Sequence, residues 1–227
     1  MFQRPRPLRP APPPERRRRL ARWAAAGSRP FGRTLQAIGR TDQRILLALR
    51  TQGHSDGLDR VVGAIGSFGE MGIGWAGIGV AGAFARPEQR ERWIAAAAVA
   101  PIAILVNYSV KLTIGRQRPL IDDHPPLARA PSKLSFPSAH STSAVAAATA
   151  LGRVSPRSRP AYYALAGAIC AGRPYLGMHY PSDVLAGAGL GYLIGRLYPL
   201  PAGPEVVERT AAGSDSVGPP IEVAVTS

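Results

Sequence analysis

WIAAAAVAPIAILVNYSVKLTIG, residues 93–115, decides the fold class. It carries one charge, Lys111. At about 1.5 Å per helical residue it is long enough to cross a hydrocarbon core of about 30 Å. Working outward, four more apolar segments follow the same pattern: 58–85, 138–152, 161–177 and 183–200. The second part of 58–85 is clean enough to span, whereas 138–152 is shorter and could be a buried helix. In the last segment Ala186, Gly187, Gly191 and Gly195 recur at the three- and four-residue spacing that lets helix backbones approach closely in lipid. The expectation is an all-α fold, a polytopic transmembrane helix bundle of five to six spans with an amphipathic N-terminal segment.

Composition agrees with that class. Only 19% of the 227 residues are charged while 45% are apolar, much of that Ala, and 25 more are Gly. The net charge of +14 would suit nucleic acid if it were spread over a surface. Instead, twelve arginines fall before residue 45, many in the aperiodic run RPRPLRPAPPPERRRR. A run of that kind reads as a disordered tail that meets anionic lipid or water, so nucleic acid is not expected as a partner. The resulting organisation is a Pro/Arg-rich tail (1–33), an amphipathic interfacial segment (34–57), a membrane-embedded domain (58–200) and a mobile tail (201–227). The loops RPEQRER (86–92) and RVSPRSRP (153–160) are basic and share one face under the positive-inside rule, leaving 116–137 and 173–182 on the other. Cys170 is the only cysteine, so no internal disulfide forms, and its setting is that of a small buried hydrophobe. The opening residues lack the continuous apolar stretch of a cleavable signal peptide.

Three polar clusters fall on one predicted face. KLTIGRQRP (111–119) supplies Lys111, Arg116 and Arg118. Lys111 is one of two lysines in the chain, and an ionisable group at membrane depth is costly unless a site requires it. Arg116 also reads simply as a snorkelling residue at a span's end. Ser135, Pro137, Ser138 and His140 form the second cluster, at the start of an alanine-rich run. There Ser138 is a plain helix cap, yet a helix N-terminus is also a ready anion site, with His140 standing beside it. GRPYLGMHYPSD (172–183) adds Arg173, His179 and Asp183, the carboxylate four residues beyond the imidazole that it could orient. A His–Asp pair is structural as often as catalytic. Three cations suit a multiply charged oxyanion, and two histidines can divide the roles of nucleophile and acid. Asp122, Asp123 and Asp183 form no evident metal cage, so metal-independent phosphoryl transfer is expected, with no cofactor. A non-catalytic lipid-phosphate binder or permease would use the same cations; the set His140, His179 and Asp183 favours catalysis.

Together, K-x6-R-P from Lys111 to Pro119, PSAH at 137–140 and R-x5-H-x3-D from Arg173 to Asp183 resemble the three-part signature of the type 2 phosphatidic acid phosphatase superfamily. That superfamily's soluble relatives include the vanadium haloperoxidases. The resemblance covers about residues 58–200 and departs at two places. Ala139 stands where the family has Gly, and Gly172 stands where it has Ser. It implies that His179 attacks phosphorus to form a phosphohistidine, that Asp183 orients His179, and that His140 protonates the leaving oxygen. It further implies that Lys111, Arg118, Arg173 and Ser138, with the Ala139 amide, hold the phosphoryl oxygens, and that no metal takes part. The implied setting is a multi-pass protein of the cell membrane acting on a lipid-linked phosphate. GSFGEMGIGW, LSFPSAHSTS and LGMHYPSDV resemble, more finely, phosphatases that remove the 5-phosphate from decaprenylphosphoryl-5-phosphoribose in cell-wall precursor synthesis. Polyprenyl diphosphate, phosphatidic acid and phosphatidylglycerol phosphate are the alternative substrates.

Overall fold

The computed structural model describes residues 30–121, 124–130 and 132–203, with side chains from residue 38 onward. Most of the expected Pro/Arg-rich tail, Asp122, Asp123 and the C-terminal residues after 203 lie outside the described residues.

Among the described residues seven α-helices follow one another. Helix α1 (Pro30–Thr51) comes first, and the residues from Ile45 onward form one compact unit. Helix α1 is amphipathic, and a new helix has begun at Asp56, inside the segment 34–57 named from the sequence. Helix α2 (Asp56–Phe68) starts there because the Ser55 hydroxyl accepts the Leu58 N–H at 3.3 Å, with Asp56 and Asp59 against the positive end of the helix. Helices α3 (Ile73–Ala85), α4 (Arg90–Ile114), α5 (Ala139–Val154), α6 (Arg159–Tyr175) and α7 (Pro181–Leu197) complete the set. Among the described residues β-pairing is limited to a single bridge, Gln117 with Leu134, inside the long α4–α5 connection.

Helix α5 is the axis of the bundle. Twelve of its sixteen residues are buried, nine of them Ala, Ser or Thr, and it packs against α4, α6 and α7. Small side chains explain how one short helix touches three neighbours. On α7, Gly187, Gly191 and Gly195 face the Ser138, Thr142 and Ala146 carbonyls of α5, where any Cβ would collide with backbone. The glycine spacing noted in the sequence is therefore the α5–α7 interface, while Ala186 is only half-buried. Trp75, Trp93, Val99, Leu151 and Ile169 fill the remainder of the core.

Segment 58–85 is not one continuous helix. It breaks at Gly69 into a short 3₁₀ turn, Glu70–Gly72, and the two helices on either side diverge by 48°. Met71 and Gly72 both take left-handed backbone (φ 51° and 78°), which no α-helix accommodates. Helix α3 alone has 13 residues, about 20 Å of rise, short of a hydrocarbon core of about 30 Å. Among the described residues, Pro87–Ile114 is by itself long and apolar enough to cross a membrane, and the α2–α3 pair qualifies as one bent unit. Helices α5, α6 and α7 have 16, 17 and 17 residues, so length and composition do not establish the expected five to six spans.

Candidate active site

Four helix ends converge: the C-termini of α4 and α6 and the N-termini of α5 and α7. Helix α4 stops at Gly115, whose φ of 68° closes a left-handed cap on the Lys111 carbonyl. One turn earlier, Lys111 is 2% exposed, and its Nζ donates to the Leu134 and Ser135 carbonyls at 3.2 and 3.4 Å. These bonds tether the first motif to the approach of the second. Ser135 adds to the tether, its hydroxyl donating to the Gln117 carbonyl at 3.0 Å. Arg118 is fixed by its own loop, Nε donating to the Ser132 carbonyl at 2.9 Å. Its Nη1 donates to the Met178 carbonyl at 2.7 Å, reaching the third motif.

Helix α5 begins at Ser138, which is fully buried. Its hydroxyl accepts from the Ser141 N–H and from the Ser141 hydroxyl, at 3.4 and 3.0 Å. The plain capping reading describes this side chain: it is turned into the first turn of α5, while Ala139, His140 and Ser143 face the cleft. Its expected contact with phosphoryl oxygens is therefore not favoured by its orientation. Asn107 of α4 holds the same helix end, Nδ2 donating to the Pro137 carbonyl at 3.2 Å and the Thr142 hydroxyl at 2.9 Å.

His179 sits in the turn between α6 and α7, 2% exposed. Its Nε2 lies 3.1 Å from Arg118 Nη1. A guanidinium can only donate, so Nε2 presents its lone pair and the ring proton resides on Nδ1. Nδ1 faces Asp183 Oδ2 at 3.6 Å, an ion-pair separation slightly beyond a hydrogen bond. Burial is the first reason the imidazole is held neutral, its pKa lowered to about 4; Arg118 and Lys111 act in the same direction, and Asp183 opposes them. Burial also lowers the pKa of Arg118, partly offset by the Asp183 charge.

Asp183 itself is fully buried and thoroughly engaged. Oδ1 accepts from Arg116 Nη1 at 2.8 Å, and Oδ2 accepts the Tyr180 N–H at 2.9 Å in the capping box of α7. Arg116 also donates to the Ser182 hydroxyl at 2.7 Å and lies over the Tyr180 ring, 4.1 Å from its centroid. Arg116 thus belongs to the site, although its sequence position is equally that of a snorkelling residue. The signal that could have found it is its place two residues before Arg118 on a loop that must return to the third motif.

One cleft is lined by Lys111, Arg118, Ala139, His140 and His179, together with Tyr108 and Ile104 of α4. Arg173 (3% exposed) and Asp183 stand behind this wall. Gly66 of α2 makes room for the Arg173 guanidinium, which a Cβ there would strike. Gly69, Glu70 and Met71, from the break between α2 and α3, form part of the cleft as well. No sequence motif pointed to them. Among the described residues, no group of three or more His, Cys, Asp or Glu side chains is placed to hold a metal.

A helical bundle that gathers Lys111 from the last turn of one helix, Arg118 from the loop after it, His140 from a helix start and Arg173, His179 and Asp183 from the ends and turn of the α6–α7 connection defines a phosphoryl-handling class. The chain belongs to the PAP2 superfamily, whose family model matches residues 92–201. Decaprenylphosphoryl-5-phosphoribose phosphatase of Mycobacterium tuberculosis H37Rv is 42% identical over 133 residues, 57% of this chain and 72% of the relative. The Mycolicibacterium smegmatis protein of the same name is 40% identical over 127 residues, 55% of this chain and 68% of the relative. Among solved structures, a transmembrane PAP2-type phosphatidylglycerolphosphate phosphatase from Bacillus subtilis superposes with a TM-score of 0.59 at 26% identity, covering 83% of this chain and 91% of its own. Aquifex aeolicus LpxE shares the fold at a TM-score of 0.54 and 24% identity, over 69% of this chain and 93% of its own. With these relatives the chain shares the enzyme class of phosphoric monoester hydrolases.

Proposed function

We propose that this chain is a multi-pass membrane phosphatase that hydrolyses the 5-phosphate of decaprenylphosphoryl-5-phosphoribose through a phosphohistidine on His179. The observation that carries the mechanism is the orientation of His179, with Nε2 beside Arg118 at the cleft and Nδ1 toward Asp183. Nε2 attacks phosphorus and forms an N–P bond as the ester P–O bond breaks. His140 gives its proton to the departing sugar oxygen, and Asp183 compensates the charge arriving on the His179 ring. Lys111, Arg118 and Arg173 balance the phosphoryl oxygens, where cations in a dry cleft act most strongly. A water, its proton taken by His140, then forms the new P–O bond and releases Nε2. The relatives' names support the substrate. Membrane placement is supported by the apolar span Pro87–Ile114 and by exposed Leu105, Leu112, Phe84, Leu193 and Leu197 on the helix exteriors.

The test is phosphate release in detergent from a panel containing the phosphoribosyl lipid, polyprenyl diphosphate, phosphatidic acid and phosphatidylglycerol phosphate. The phosphoribosyl lipid should be turned over with the highest kcat/KM. No release from it would overturn the substrate assignment.

A further inference from the structure

The break between α2 and α3 places a carboxylate where a phosphate enzyme has no evident use for one. Glu70 lines the cleft, and among the described residues that line it no other is acidic. It is solvent-exposed and forms no hydrogen bond or ion pair with the described residues; its nearest electrostatic influence is on Arg173. It lies within the bent apolar pair α2–α3, and under the membrane placement proposed above an ionisable side chain there is costly and marks a site by default. The chain holds it there by a costly backbone, since neighbouring Met71 is a non-glycine residue at φ 51°. Packing enforces that turn: a Cβ on Gly69 would press on Ile169 of α6 at 3.1 Å, and one on Gly72 on the Ala100 side chain of α4 at 2.9 Å.

Chemistry limits what such a group can bind. A carboxylate repels the phosphoryl group that Lys111 and Arg118 attract, so it serves a part of the substrate that donates hydrogen bonds. It has two oxygens and a geometry that accepts two adjacent hydroxyls at once. Met71, Ile104 and Tyr108 beside it form an apolar wall suited to the lipid side of the same molecule. We propose that Glu70 is a substrate-specificity residue whose carboxylate accepts hydrogen bonds from the vicinal hydroxyls of the sugar that bears the scissile phosphate. This rests on the phosphoribosyl-lipid reading above, because ribose offers that diol and phosphatidic acid and polyprenyl diphosphate do not.

The experiment compares wild type, Glu70→Gln and Glu70→Asp on the phosphoribosyl lipid and on phosphatidic acid in the same detergent. Hydrogen bonds to a charged acceptor of the strength typical in proteins correspond to a loss of roughly 10- to 100-fold in kcat/KM. That loss is expected for Glu70→Gln on the phosphoribosyl lipid, with Glu70→Asp recovering part of it. Turnover of phosphatidic acid should be unchanged or higher, which also shows that the variant is folded. Equal loss on both lipids, or retained preference for the phosphoribosyl lipid in Glu70→Gln, would overturn the assignment while leaving the substrate reading intact. Failure of the wild type to hydrolyse the phosphoribosyl lipid would overturn both, and is told apart because it does not depend on residue 70.

Discussion

Arg116 and Asp183, 67 residues apart, form an ion pair of 2.8 Å in which the carboxylate is fully buried and the guanidinium only partly so. This pair fixes the face that Asp183 turns toward His179. Arg116→Gln should lower kcat by about 100-fold, the scale expected when a reacting group is displaced by about 1 Å, with KM little changed. Arg116→Lys should recover part of it. A rise in KM with unchanged kcat would instead place Arg116 on the substrate.

Removing the proposed nucleophile and removing the proposed acid should fail differently. His179→Ala should incorporate no label from a radioactive phosphoryl donor under acid-free quench. His140→Ala should still form some labelled protein but with phosphate release lowered by about 10²–10⁴-fold, the usual worth of a positioned acid–base group. Label retained in His179→Ala would remove that residue from the nucleophile's role.

The neutrality of His179 makes a signed pH prediction. Its folded pKa of about 4 lies below the ordinary value of 6.5, so between those values the unfolded chain binds the proton and the folded one does not. Stability from this group is therefore complete above about pH 6.5 and is lost as pH falls toward 4, by about 3 kcal/mol at most. Thermal melts in detergent at pH 7.5 and pH 5 should show a drop that His179→Asn reduces.

The glycines of α7 separate packing from composition. Gly191→Ala would force a methyl into the Thr142 carbonyl, and should destabilise by about 1–3 kcal/mol, as overpacked sites do. Gly189→Ala on the same helix meets nothing within 4 Å and should be neutral or slightly stabilising. Equal effects in melting experiments would contradict the α5–α7 contact.

Ser138 offers a choice between cap and ligand. As the cap of α5, its replacement by Ala should cost about 1 kcal/mol of stability, with a KM close to that of the wild type. A large KM increase at unchanged stability would restore the phosphate contact that the resemblance implied.

Several features needed no tertiary structure. Helical runs, the ordered positions of Lys111, Arg118, His140, Arg173, His179 and Asp183, and the Gly187–Gly191–Gly195 stripe are visible because periodicity and spacing along the chain express them directly. Arg116, Ser138 and Glu70 were ambiguous or silent for the opposite reason. A guanidinium at a helix exit looks the same whether it reaches water or Asp183, and a serine before a helix looks the same whether it caps or binds. The break at Gly69–Gly72 was hidden because a Gly-rich apolar stretch satisfies the composition of a continuous span.

By itself, then, the sequence determined a helical fold over the described residues and the residue types that the cleft gathers, since both follow from residue type and local spacing. Tertiary structure alone decided that α2 and α3 part at a left-handed turn, that Asp183 is held by Arg116 and that Glu70 enters the cleft of His140 and His179. These depend on how closely α5, built of Ala and Ser, lets α4, α6 and α7 approach it. Such distances are set by the collective packing of helices far apart in the chain and are written in no single segment of it.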